Sequence, residues 1–483
     1  MNTNKKVIIN FLWRFAERSG AQLVTFVVSI ILARLLEPDV YGTIALVTVF
    51  ITILNVFVDC GMGNALIQKA EADDLDFSTV FYFNIAACSV LYLIMFAVSP
   101  LIAAFYEIPA LTPVIRMLSL TIIISGLKNV QQAYVSRNML FKKFFYATLA
   151  GTIGAAALGI IMAFMGFGIW ALVAQQLFNT VMDTFVLWIT VKWRPKRMFS
   201  TERLKELLGY GWKLLVSSLL DTIYNNIRQL IIGKLYTSEA LAYFNRGKQF
   251  PNLIITNVNT SIDSVLLPAM AQEQDNVERV KSMTRRAIKT STYIMAPLMM
   301  GLTGCAVPLV RFILTDKWLP CVPFMRIICV TCLFYPIHTA NLNAIKALGR
   351  SDLFLSLEVA KKIVGTILLL STMWFGVYAI ACSLLAESVC AQIINAWPNK
   401  KLLGYGYVDQ IKDIMPGILL AVFMGICVYP ISFLQLPSAV ILIIQVLAGA
   451  AIYLGGSRIL RLEAFRYLWN TVSPWMSRLP GRE

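Results

Sequence analysis

Basic side chains recur where this chain is otherwise greasy. Arg14, Arg18, Lys128, Arg228, Arg246, Lys248 and Arg326 all fall inside runs of apolar residues. A charged group at a bilayer centre costs roughly 2.5–3.5 kcal/mol on insertion scales, so such groups turn toward protein or water rather than lipid. Cations gathered in a wet interior are the chemistry of anion binding. A guanidinium grips two oxygens of a phosphate or carboxylate at once, and an ammonium supplies a point charge.

The spacing of these residues places them on helix faces. Arg14, Arg18 and Gln22 lie four apart and form a stripe. Glu17 follows Arg14 by three, so Arg14 either pairs with it or snorkels to the interface, while Arg18 lies deeper and faces a cavity. Ser217, Asp221, Asn225 and Arg228 follow at spacings of 4, 4 and 3, a hydrogen-bonded seam or a substrate path. The run Tyr243-Phe244-Asn245-Arg246-Gly247-Lys248-Gln249-Phe250-Pro251 holds two cations, a Gly and a Pro, and stays polar through Asn252, Asn257, Asn259 and Asp263. This helix suits lipid least and is the strongest site candidate, with an external-interface anchor as the alternative role for Arg246. Lys128, one turn from Gln131 and Gln132, and Arg326 are ligand contacts or partners of interhelical carboxylates such as Asp59, Asp183 or Glu387. Asp59, Asp221, Asp263 and Glu17 are candidates to couple transport to H+ or Na+. Lys361 and Lys362 follow Glu358 by three and four and read as a local salt pair. His338, the only His, reads as packing first and as a proton switch second.

Composition narrows the class. The chain has 483 residues, 58% hydrophobic and 14% charged, with a net charge of +16. Soluble domains carry about 25% charged residues, so this is an integral membrane protein. Nine Cys, nearly all in apolar stretches, include one CxxC, Cys329–Cys332, which lacks clear His or carboxylate partners for a metal. No metal, cofactor or catalytic residue is expected. A phosphate loop of the GxxxxGK[ST] type is missing from the sequence, and a single His leaves one possible base, so ATP hydrolysis and serine-type catalysis are not expected.

Apolar runs predict an all-α membrane protein of fourteen helices at 10–35, 42–66, 79–105, 112–136, 144–164, 168–191, 208–233, 241–271, 290–315, 320–345, 352–372, 378–398, 412–432 and 439–457. Alternate connections then collect Lys and Arg in a ratio of 28 to 5. The positive-inside rule places both termini in the cytoplasm. Topology thereby accounts for most of the basic excess, and nucleic acid is not an expected partner. The basic loop 192–207 and an amphipathic tail at 459–483 are expected to meet membrane lipids. External loops are a few residues long, too short to hold a catalytic domain.

A faint repeat runs through the chain. Ala33-Arg34-Leu35, with Asp39 five residues after Arg34, is matched by Gly233-Lys234-Leu235, with Glu239 five residues after Lys234. Val58-Asp59 is matched less closely by Ile262-Asp263. A duplication predicts helices 1–6 over 1–191, a linker at 192–207, helices 7–12 over 208–398, and helices 13–14 within 399–458.

The stretches Arg14–Gln22, Leu32–Gly42, Phe57–Gln68, Gly168–Val173, Phe244–Arg246 and Lys317–Pro320 resemble, as an ordered set, bacterial Wzx-type polysaccharide flippases. These are the O-antigen and colanic acid exporters of the multidrug/oligosaccharidyl-lipid/polysaccharide superfamily. That resemblance implies two six-helix lobes, 1–6 and 7–12, around a central cavity, plus two further helices. It also implies alternating access, a bacterial cytoplasmic (inner) membrane location, and an undecaprenyl-pyrophosphate-linked oligosaccharide as substrate for surface polysaccharide assembly. Polysaccharide polymerase and assembly proteins are the implied protein partners. A multidrug/cation antiporter of the same superfamily and a polyprenol-linked glycan polymerase or ligase are the alternatives. The first would prefer an acidic interior, and the second usually carries a sizeable external loop.

Overall fold

The computed structural model describes residues 3–59, 62–69 and 71–476; the side chains of 3–12, 14–16, 18, 59, 210 and 472–476 lie outside that description. Regular structure among the described residues is helical. The order is α1 Thr3–Leu35, α2 Pro38–Asp59, α3 Met62–Gln68, α4 Asp74–Tyr106, α5 Leu111–Arg137, α6 Lys142–Phe164, α7 Ile169–Thr190, α8 Thr201–Leu235 and α9 Ser238–Ala271. It continues with α10 Val277–Gly304, α11 Ala306–Ile313, α12 Val322–Cys332, α13 Tyr335–Ala347, α14 Ser351–Thr372, α15 Val377–Leu402, α16 Tyr407–Val428, α17 Ser438–Ile459 and α18 Glu463–Met476. Short 3-10 helices occupy Asp316–Cys321 and Tyr429–Phe433.

Each expected span contains a helix, but two are broken. The span 42–66 holds α2 and α3, with residues 60 and 61 outside the description. The span 290–315 divides at Gly304, where α10 and α11 meet at 70°. The span 320–345 divides before Pro336, which has no N–H to donate and sits in the first turn of α13, where none is needed. Among the described residues, nine segments are long and apolar enough to cross a membrane, or ten with the bent α10–α11 pair. Four of the fourteen expected spans, those of α1, α7, α8 and α14, fall outside this set. α7, α8 and α14 carry charged or carboxamide side chains that dilute their apolar character, and α1 contributes the shorter apolar stretch Ser19–Leu35.

Residue contacts divide the chain into two compact units, the first ending at Ala242 and the second beginning at Tyr243, within α9. In the first unit α6 packs on α7 and α1, α4 on α5, and α2 on α8. In the second, α10 packs on α16 and α13, α14 on α15, and α18 on α10.

Local chemistry sets the ends. The Asp73 carboxylate accepts from the Asp76 N–H at 2.9 Å, and the Asp76 carboxylate accepts from the Asp73 N–H at 3.2 Å, a reciprocal cap that starts α4. The Asp76 N–H holds the Asp73 carboxyl below its ordinary range, against the opposing effect of desolvation, with Arg203 adding to the lowering. The expected linker 192–207 is helical from Thr201 onward. Before that it lies across α4: the Lys196 N–H donates to Ser78 Oγ at 3.0 Å and the Ser200 N–H to Thr79 Oγ1 at 3.1 Å. Buried Trp193 pins it, donating to Asp74 Oδ1 at 3.0 Å and packing against Phe77 and Tyr134.

Two outcomes test this account. A Cβ on Gly42 would stand 1.7 Å from the Ser238 carbonyl oxygen, whereas nothing lies within 4 Å of one on Gly209. Gly42→Ala therefore destabilises by roughly 1–3 kcal/mol or more, and Gly209→Ala does not destabilise, read as melting midpoints in detergent. Asp73→Ala lowers the melting midpoint at neutral pH. Because the folded Asp73 carboxyl is held low, its contribution is complete above about pH 4 and disappears as pH falls through the depressed value. The gap between wild type and Asp73→Ala therefore closes in acid.

Candidate functional site

In the first unit, Lys128 on α5 and Asp183 on α7 meet at 2.8 Å, each side chain about 16% exposed. The interhelical pair is thus one of the two roles that the sequence left open for Lys128. Glu17 on α1 is buried and accepts from Thr148 Oγ1 on α6 at 3.2 Å. Arg228 on α8 is buried, while Asn225 and Asp221, on the same helix, are exposed. The side chains of Arg14, Arg18 and Asp59 lie outside the described residues.

The second unit places three of the candidate cations on aromatic faces. The Arg246 guanidinium lies over Trp318 at 5.0 Å from the ring centre and hydrogen-bonds Gln249. Lys248 lies over Phe244 at 5.5 Å. Arg326 lies over Tyr429 at 5.1 Å, and its Nε donates to the Thr303 carbonyl at 3.4 Å. Its Nη2 is buried and meets no hydrogen-bond partner among the described residues. A ring face stabilises a cation through the negative face of its quadrupole.

Close backbone approach permits part of this arrangement. A Cβ on Gly247 would fall 2.7 Å from Phe324 Cβ and 2.9 Å from the Met325 nitrogen, so only glycine lets α9 lie against the start of α12 there. Phe324 in turn packs edge-on to Phe244 and stacks on Tyr378, with ring centres 4.7 Å apart in the stack. Gly304 and Gly425 interlock in the same way at the α10–α11 bend, where a Cβ on either would fall 3.1 Å from a backbone oxygen of the other helix. The bend leaves the last carbonyls of α10 without intrahelical partners, and Arg326 meets one of them at Thr303.

Other polar residues serve packing. Asp263 on α9 accepts from Asn343 Nδ2 on α13 at 2.7 Å. Asn341, Gln410 and Asn399 form a buried amide cluster with contacts of 2.7 to 2.9 Å. His338 lies between Ser388 and Asn395 at 3.4 and 3.1 Å. Lys361 pairs with Glu358 at 2.6 Å, as its spacing indicates.

Sequence reasoning passed over the aromatic platforms Trp318 and Tyr429 and the α7 amides Gln175, Gln176 and Asn179. The amides carried a signal: with Asp183, Gln175/Gln176 and Asn179 recur about one turn apart on an otherwise apolar helix. The platforms carried none, since Trp318 is distant in sequence from Arg246 and Tyr429 from Arg326.

Comparison with known proteins bears on what this arrangement serves. The chain is similar to the teichuronic acid biosynthesis protein TuaB of Bacillus subtilis, 25% identical over 83% of this chain and 84% of that protein. It is also similar to the lipopolysaccharide biosynthesis protein WzxC of Escherichia coli, 21% identical over 68% of each. Its fold is that of a solved lipid II flippase, MurJ in an inward closed conformation, with a TM-score of 0.77 over 95% of this chain and 99% of that one at 16% identity. The all-helical, multi-pass architecture and the resemblance drawn from the ordered motifs agree with these likenesses. The sequence profile of the polysaccharide biosynthesis proteins matches residues 31–323, more than half of the chain, and the protein belongs to that family.

Proposed function

We propose that this protein flips an undecaprenyl-pyrophosphate-linked oligosaccharide from the cytoplasmic to the outer leaflet of the bacterial inner membrane, by alternating access, for surface polysaccharide assembly. The observation that carries the reading is Arg326. A guanidinium set between apolar helices, laid on Tyr429 and with a buried Nη2 that has no partner among the described residues, offers donor capacity to an anion. Arg246 and Lys248, each on a ring, add charge of the same sign within the same unit. A pyrophosphate loses its hydration on entering low dielectric, and fixed N–H donors replace it.

Family membership supports the polysaccharide side of the reading, and the distribution of Lys and Arg supports cytoplasmic termini. Arg14, Arg18, Arg228 and Asn225 are proposed as further contacts along the path. Asp221 and Asp263 are the proposed sites of H+ or Na+ coupling, with Asp59 and Glu17 alongside them. Lys128 has a different first duty, because Asp183 holds its ammonium.

Deleting the gene should cause lipid-linked oligosaccharide to accumulate on the cytoplasmic leaflet, measured by lipid extraction and leaflet-selective labelling. Arg246→Gln and Arg326→Gln should restore membrane protein level but not export; full export by both would remove them from the site. For Lys128, a cycle separates pairing from binding. Lys128→Met and Asp183→Leu should each destabilise by roughly 2–4 kcal/mol, and the double variant should recover most of that loss in melting experiments. Additive losses would show that the two groups do not depend on each other.

A further inference from the structure

The cationic groups leave one polar feature of the first unit unexplained. A cavity of about 270 Å3 lies among α1, α2, α6 and α7. Its polar lining includes the hydroxyls of Ser29, Tyr41 and Thr152 and the carboxamides of Gln175, Gln176 and Asn179. No charged side chain among the described residues lines it. Leu32 and Leu172 supply apolar wall.

The hydrogen-bonding state of these groups points to an occupant. Thr152 donates to the Thr148 carbonyl at 2.7 Å, which leaves its oxygen as an acceptor. The three α7 carboxamides make no side-chain hydrogen bond among the described residues. Gln175 and Gln176 are half-buried and Asn179 is exposed, so their amides face the space beside them. Three of them, two adjacent and the third within a turn, present paired donors and acceptors that match hydroxyl groups.

Charge decides which hydroxyl-bearing ligand fits. An ionised group would find no counter-charge in the described lining. The ammonium of Lys128 is on Asp183, one turn beyond Asn179, and is committed there at 2.8 Å. A pyranose satisfies the set: its hydroxyls both donate and accept, and its ring presents C–H faces to leucine. We propose that this cavity is a saccharide subsite that takes one uncharged pyranose of the carrier-linked glycan. The assignment rests on the flippase reading above and adds the class of sugar.

Equilibrium binding to the full chain in lipid nanodiscs tests this with three probes: undecaprenyl diphosphate, the same carrier bearing one neutral hexose, and the same carrier bearing one hexuronic acid. Wild type should prefer the hexose-bearing carrier to the bare one and to the uronate. In the double variant Gln176→Leu with Asn179→Leu that preference should fall about tenfold, with affinity for bare carrier within about twofold of wild type. If the double variant does not fold, Gln176→Met alone should lower the preference about threefold. A preference that survives either folded variant overturns the subsite, as does equal wild-type binding of bare and hexose-bearing carrier, which would make the cavity a water-filled void. Failure of wild type to bind any of the three carriers would instead overturn the flippase reading and the subsite with it.

Discussion

Polar groups between membrane helices must be satisfied by the protein itself, because lipid offers neither charge nor hydrogen bonds. The structure meets that demand in three ways. Lys128 is neutralised by Asp183 across α5 and α7. Arg246, Lys248 and Arg326 are laid on Trp318, Phe244 and Tyr429, which eases their burial. Amides are tied to amides, as in Asn341, Gln410 and Asn399. The three solutions have different consequences. An ion pair cancels its charge within the packing, an amide cluster turns most of its donors and acceptors inward, and Arg326 on its ring retains a buried Nη2 with no partner among the described residues.

Helix breaks give these contacts their geometry. At the 70° bend between α10 and α11, terminal carbonyls are exposed, and Arg326 takes up one of them. The interlocked Gly304 and Gly425 bring α10 and α16 close enough for that bend to be packed rather than hydrated. Gly247 does the same for α9 against α12, setting Arg246 beside Trp318 in the preceding 3-10 turn. Small residues therefore act here through backbone approach, the commonest means of holding helices together where no hydrophobic effect drives them.

Much of this was legible beforehand, and unevenly. Long apolar runs fix helix positions to within a few residues in most of the chain, as at 144–164 against Lys142–Phe164. The breaks were less visible, since Gly304 and Pro336 are each compatible with a continuous helix until neighbouring backbone is placed. The number of crossings was least secure: α7 and α8 mix apolar and polar faces, so length alone overstates how lipid-like they are. Among single residues, Lys361 and Glu358 were readable because they are neighbours on one helix turn. The Lys128 partner remained open among several carboxylates, because a contact across 55 residues leaves no local pattern.

The amino-acid order by itself determined membrane character, the helical class, the asymmetric distribution of basic residues and the ordered motifs of the family. These depend on composition, period and local succession, all of which survive without coordinates. Only the tertiary structure decided which cations are neutralised by carboxylates and which rest on aromatic rings, and that the α7 amides border a cavity. Those outcomes turn on distances of a few ångströms between residues far apart along the chain, and hydrogen-bond and charge energies change over just that range.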